Sequence, residues 1–235
     1  MVHDLPMLGK APGAPVLTSQ SPGSSRSRLL KVATLPATER TSVGGIRVTT
    51  ADRTVVDIAR RASFRTSVVT ADAALRAGLP AGVLRATAER WATWPYGRRP
   101  VDVAAFADAR AESPLESIGR VALHHQGVEP PELQVEVWLG GRLLGRVDHL
   151  WERHHCVGEA DGMGKYDAPG ALRAEKQRQE ALEQAGFVVV RYDWDDAYRR
   201  ASELADRVRA AFVTGARTSL DPRIRLVRTR LAAAA

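Results

Sequence analysis

The sequence predicts an α/β (α+β) protein with a helical N-terminal half. Two observations predict it. Apolar residues recur at helical spacing through the middle of the chain, and from Ser113 onward the pattern runs helix, strand, strand, strand, helix, strand, helix. The 235 residues, 44% of them hydrophobic, suffice for one sizeable core or two modest ones, and the change of pattern predicts two domains. We expect a mixed region over 1–112 that is mostly helical from residue 52, a second domain over 113–213, and a basic tail over 214–235.

Residues 1 to about 28 are rich in Pro, Gly and Ser, with a strand-like VLT between turns, and read as irregular or edge structure. LLKVATLP and GGIRVTT have short β-like character. Asp52 before RTVVDIARR and Ser63 before FRTSVVTADAALRAG are plausible N-caps, and Gly78 closes the second helix. Further helical runs are expected at 80–91 and 102–111, with WPYGRRP (94–100) as the loop between them. Its aromatics beside two arginines suit either a packed surface loop or stacking on a base.

In the second half, Ser113 caps a helix with Pro114 at its first position and Gly127 at its end. ELQVEVWLGGRLLGRVDHLW reads as a hairpin around Gly140-Gly141. HHCVGEAD is a third strand, APGALRAEKQRQEALEQAG a polar helix ending at Gly186, and FVVVRYDW a buried fourth strand. Ala197, Ala201, Leu204, Val208 and Phe212 give a final helix one apolar stripe. The arginine-rich tail could be disordered or could bind phosphates.

The formal charge is +7, which favours a polyanionic partner such as nucleic acid. Arginine supplies 30 of the 34 basic side chains, a usage that a GC-rich genome also produces, so the four lysines Lys10, Lys31, Lys165 and Lys176 are the more informative cations. The single cysteine, Cys156, excludes an internal disulfide framework. With neither a secretory signal nor an apolar run of membrane length, the expected location is the cytoplasm, with no membrane partner.

The stretch VGEADGMGKYD concentrates the chemistry. As a strand, Val157, Glu159 and Asp161 share one face. Either the acids sit at a solvated strand end or they are gathered to hold something positive. Asp148 lies near the end of the preceding strand. If the two strands are neighbours in register, Asp148, Glu159 and Asp161 converge on a hard cation such as Mg²⁺, which takes oxygen ligands, and Lys165 can orient water or neutralise charge. Each residue also has a plain alternative. Asp148 and Asp161 are common turn residues, and Ser113-x-x-Glu116 is a capping box that explains Glu116 by itself. Lys176 and Arg178 read as a solvated face with Glu175 and Glu180, or as contacts to DNA backbone together with Arg191. His149, His154, His155 and Cys156 fit no usual zinc spacing.

The order of elements, with Glu116 in SPLESIGR, Asp148 in GRVDHLW, Glu159 in GEADG and Lys165 in GKY, resembles the PD-(D/E)XK nuclease core. It is most similar to the branch related to very-short-patch-repair (Vsr) endonucleases, whose third strand reads E-x-D-G. Asp161 stands where the usual motif has lysine, and Lys165 follows four residues later. The resemblance implies a restriction-endonuclease-like three-layer α/β domain with a mixed central sheet. It also implies Mg²⁺-dependent hydrolysis of DNA, with Asp148 and Glu159 on the metal, Glu116 and Asp161 assisting, and Lys165 acting on water or phosphate. More broadly, segments from GGIRVTTADRTVVDIARR to EKQRQEALEQAGFVVVRYDW resemble actinobacterial AbiEi-like antitoxins of type IV toxin–antitoxin systems. That likeness implies a DNA-binding regulator with a cognate toxin as partner. Such proteins begin with a winged helix; VHDLPMLG looks like the interior of that arrangement, so the winged helix is expected to be missing.

Overall fold

A computed structural model describes residues 3–9, 17–19, 30–32, 35–162 and 171–228. The chain divides into two compact units, one ending at Asp108 and the other beginning at Ala109.

Among its described residues the N-terminal unit holds two small strand pairs, a 3-10 turn over Ala37–Glu39 and four α-helices. β1 (Leu17–Ser19) and β2 (Leu30–Val32) pair in parallel. β3 (Arg40–Val43) and β4 (Ile46–Thr49) form an antiparallel hairpin. Its turn, Gly44-Gly45, takes φ of 57° and 79°, the left-handed region that glycine enters without steric cost. α1 (Ala51–Ala59), α2 (Phe64–Arg76), α3 (Ala81–Arg90) and α4 (Arg98–Phe106) follow, with α1 touching the other three. Val55, Val56, Val68, Leu84 and Val103 are buried in this unit.

Two boundaries differ from the sequence expectation. The cap of α1 is Thr50 and not Asp52; Asp52 lies inside the first turn and accepts a hydrogen bond from Thr87 Oγ1 at 2.6 Å. α4 starts within the expected WPYGRRP loop and stops at Phe106 rather than running over 102–111. Pro100 is tolerated there because the first turn needs no N–H from it, and the helix ends where Ala107 turns extended and Asp108 N donates to Asp72 Oδ1 at 2.8 Å. Beneath the hairpin, Glu39 is buried and accepts from Arg53 at 2.6 Å, Arg90 at 2.7 Å and the Trp91 indole at 2.9 Å. The Arg53 guanidinium also lies 4.5 Å over the Trp91 ring.

The C-terminal unit is a mixed five-stranded sheet between helices. Its elements are α5 (Pro114–His125), β5 (Glu132–Leu139), β6 (Arg142–Trp151), β7 (Cys156–Ala160), α6 (Ala171–Gln184), β8 (Val188–Tyr192), α7 (Trp194–Tyr198), α8 (Ala201–Gly215) and β9 (Ile224–Arg228). The strand order is β8-β7-β6-β5-β9, with β7 and β8 parallel and the other neighbours antiparallel. The β5–β6 hairpin turns on Gly140-Gly141, both at positive φ. α6 covers one face, where Leu182 packs with Val147, Leu150 and Val157. α5 and α8 cover the other. Gly119 of α5 lies so close to Tyr192 that an added Cβ would fall 2.4 Å from its hydroxyl, and Phe212 of α8 meets the Trp151 ring edge-on at 5.5 Å. The unit is thus a three-layer α/β domain.

The expected single final helix is two. Asp193 and Asp196 form a capping box that starts α7, and Arg200 N donates to Asp195 O at the break, so Ala197 belongs to α7 and the rest of the stripe to α8. Part of the segment read as a basic tail is strand: β9 pairs with the outer edge of β5 over Val135–Leu139. Arg228 reaches Glu132 and Glu152 there, so this arginine ties the edge strand to β5 and to the turn after β6. Among the described residues no helix is long and apolar enough to cross a membrane.

Candidate functional site

The site forms where the start of α5 meets the C-terminal end of β7 and the stretch of β6 around Asp148 that lies beside it. Along the β5–β6 ladder, Leu133 pairs with His149 and Val135 with Val147. Between them Gln134 takes φ of 53°, uncommon for a residue with a side chain. This bend aims its amide inward, where Nε2 donates to Glu116 Oε2 at 2.9 Å and to Asp148 Oδ1 at 3.3 Å. Asp148 Oδ2 accepts the backbone N–H of Ala160 at 2.8 Å, which ties β6 to the residue immediately after Glu159.

Glu116 shows how much of a capping box is present. Its own N–H donates to Ser113 Oγ at 3.2 Å, as expected of the cap. The return arm goes one residue upstream, from Glu112 N to Glu116 Oε2 at 2.9 Å, and not to Ser113 N. The side chain therefore serves the helix start and still faces Asp148. Burial, with the Asp148 charge added, pushes the Glu116 carboxyl above its ordinary range, against the pull of its hydrogen bonds.

On the α6 face, Glu159 is 3% exposed and receives a two-pronged contact from Arg178, at 3.2 and 3.0 Å. Arg178 also touches Glu175 at 3.4 Å. Glu175 is shared with Arg191, which in turn grips both oxygens of Asp161. Glu159, Arg178, Glu175, Arg191 and Asp161 thus form an alternating chain of charges across β7, α6 and β8. Burial weakens the Arg178 proton, but its carboxylates, Glu159 first, outweigh that and hold it above the usual arginine range. The reading of Arg178 as part of a solvated helix face is corrected accordingly: it points into the site. Its neighbour Lys176 does lie on the exposed face, 3.8 Å from Glu180. Arg191, expected at DNA, is turned to Asp161 and Glu175. Lys165 lies outside the described residues.

Sequence reasoning missed Tyr192 and His149 as members of the site's floor. Tyr192 stacks flat on His149, with centroids 5.8 Å apart, and its hydroxyl lies 3.3 Å from His149 Nδ1. Burial raises the phenol well above its ordinary value, and Asp148, Glu116 and Glu159 add to the effect, so all three acids act on one hydroxyl. Burial, aided by Arg120, pulls the His149 imidazole down to about 3, and among the described residues its Nε2 has no hydrogen-bond partner. Tyr192 was findable as the last residue of β8 on the strand face it shares with the buried Val190; nothing in the spacing signals the His149 stack. The other candidate zinc ligands scatter. His154 stacks on Phe212 and meets Glu129 at 3.0 Å, His155 reaches Gly215 O, and the buried Cys156 thiol is pushed up to about 12.

Among the described residues no three His, Cys, Asp or Glu side chains are grouped to hold a metal ion. Magnesium, however, is usually held by only one or two carboxylates with water and substrate phosphate completing its shell. Asp148 and Glu159, hard oxygen donors on adjacent strands, fit that requirement in kind. Arg191 contacts both oxygens of Asp161, as Arg178 contacts both oxygens of Glu159.

Fold and site together define a three-layer α/β domain with a carboxylate–guanidinium cluster at one end of its sheet. No family model matches the chain, and no solved structure matches it. It is similar to two Mycobacterium tuberculosis proteins, "Uncharacterized protein Rv2248" of strain H37Rv and "Uncharacterized protein MT2308" of strain CDC 1551. Each is 31% identical over 170 residues, which is 71% of this chain and 62% of the relative's length. The chain therefore spans less than two thirds of these relatives.

Proposed function

We propose that the C-terminal unit is a nuclease-type domain that hydrolyses DNA phosphodiester bonds with a divalent cation held by Asp148 and Glu159. The observation that carries this reading is the link from Glu116 through Gln134 to Asp148, whose other oxygen accepts the N–H of Ala160, the residue after Glu159. When bound, Mg²⁺ supplies charge stabilisation for attack at phosphorus. Gln134 and the Ala160 N–H fix the Asp148 carboxylate so that it does not swing to solvent. Glu116, whose proton is held more tightly than an ordinary glutamate's, is assigned to proton handling. Lys165 keeps the role its place in the sequence suggests, neutralising charge on the phosphate. The net charge and the exposed Lys176 support a DNA substrate.

A second reading is favoured by one specific observation, the guanidinium forks on Glu159 and Asp161. With its acids already neutralised, the same fold would bind DNA without cutting, as a regulator or antitoxin in the cytoplasm with a toxin protein as partner. One assay separates the two. Supercoiled plasmid should be nicked in Mg²⁺ or Mn²⁺, and Asp148→Asn and Glu159→Gln should each lower the rate by about a hundredfold or more. Salt-sensitive DNA binding with no nicking at any divalent cation would discard the nuclease in favour of the regulator.

A further inference from the structure

Glu159 is almost wholly buried, and both of its oxygens are committed to one guanidinium. Arg178 Nη1 lies 3.2 Å from Oε1, Nη2 lies 3.0 Å from Oε2, and Nη1 also approaches the Arg146 carbonyl at 3.4 Å. The arginine is anchored from behind by Glu175, which Arg191 and Asp161 hold in turn. A magnesium ion binds carboxylate oxygen at about 2.1 Å and carries two charges. Placing it on a Glu159 oxygen while a guanidinium sits there sets two cations side by side in a half-buried site where like charges are poorly screened, so each weakens the other's hold.

We propose that Arg178 is a built-in counter-cation that competes with the divalent ion for Glu159, so that the metal loads only as the Arg178 fork opens. The inference rests on the nuclease reading, and it concerns a positioning residue, since Arg178 acts through Glu159. In the unloaded protein Arg178 lends its charge to a buried carboxylate. The cost of displacing it sets the affinity for metal, and the Glu175–Arg191–Asp161 links make that cost larger by holding the guanidinium in place.

The test uses the full chain without nucleic acid and Mn²⁺ alone as the probe, with free Mn²⁺ followed by electron paramagnetic resonance. Wild type, Arg178→Gln and Arg178→Lys are compared, each first checked for native circular dichroism. Removing the guanidinium should tighten Mn²⁺ binding about tenfold or more. Arg178→Lys keeps a charge but not the fork and should fall between, so it serves as the probe if the glutamine variant does not fold. Added Mn²⁺ should also raise the melting temperature of Arg178→Gln more than that of wild type. Equal or weaker Mn²⁺ binding by both variants overturns the competition while leaving the metal site standing. No binding by any folded form, wild type and both Arg178 variants alike, overturns the metal reading itself and the inference with it.

Discussion

Replacing His149 by phenylalanine keeps a ring against Tyr192 and Trp151 but removes the one buried imidazole whose ionisation the fold resists. Its pKa falls from the ordinary 6.5 to about 3, through burial first and Arg120 second. Folding therefore favours the neutral ring. A base whose folded pKa is depressed contributes stability that is present above the unfolded pKa and is lost as pH falls toward the folded one, here from about 6.5 down to about 3. With those two values, wild type loses about 2 kcal/mol from this residue between pH 8 and pH 5, and about 3 kcal/mol by pH 4. His149→Phe also gives up the contact to the Tyr192 hydroxyl, an offset of about 1 kcal/mol that does not vary across this range. Urea unfolding of both proteins from pH 8 to pH 4, followed by tryptophan fluorescence and circular dichroism, isolates the difference in slope. The variant should be less stable than wild type at pH 8 and overtake it near pH 6. Parallel stability curves would show that His149 is free to ionise in the folded protein and would refute the reasoning.

Two packing predictions follow. Gly119→Ala places a Cβ 2.4 Å from the hydroxyl and 2.6 Å from ring atoms of the buried Tyr192, and should destabilise the C-terminal unit by about 1–3 kcal/mol in thermal or urea unfolding; an unchanged melting temperature would mean that α5 shifts without resistance. Glu39→Gln removes the charge that Arg53, Arg90 and the Trp91 indole share, and should cost the N-terminal unit about 3–5 kcal/mol, read from the fluorescence of Trp91 and Trp94; a loss below about 1 kcal/mol would show that Asp57 alone satisfies Arg53.

The elements that sequence reading located well are those with local chemistry of their own. Ser63 and Ser113 cap helices because their hydroxyls reach an N–H three residues on, and the Gly140-Gly141 pair enforces a hairpin that fixes Asp148 on β6. Elements defined by distant partners were harder. β9 alternates Ile224 and Leu226 with arginines, a strand pattern, but the abundance of arginine made it read as a charged tail until β5 is seen to need a neighbour. Asp52 resembles a cap in every local respect, and only Thr87, far along the chain, explains why it is inside the helix.

The acids of the site were legible for the same reason, since strand alternation alone puts Val157, Glu159 and Asp161 on one face. The arginines were not, although a signal existed. Glu175 and Arg178 fall on the stripe of α6 that continues through Leu182 and Ala185, so the helix carries a buried edge whose first half is ionic. A polar helix read by composition hides such a stripe.

The place of β9 in the sheet bears on how the molecule comes to exist. Its partner β5 lies at the opposite end of the same unit's sequence, and the pairing closes a circuit through nearly the whole unit. On the ribosome, β5 is made early and waits with an open edge while every other strand of its sheet is already available. Until Ile224–Arg228 emerges, the backbone of Val135–Leu139 is a template for any passing strand. Ile224–Arg228 thus moves the open edge of the sheet from the apolar β5 to a short strand that carries two arginines, and Arg228 fixes that strand to Glu132 and Glu152.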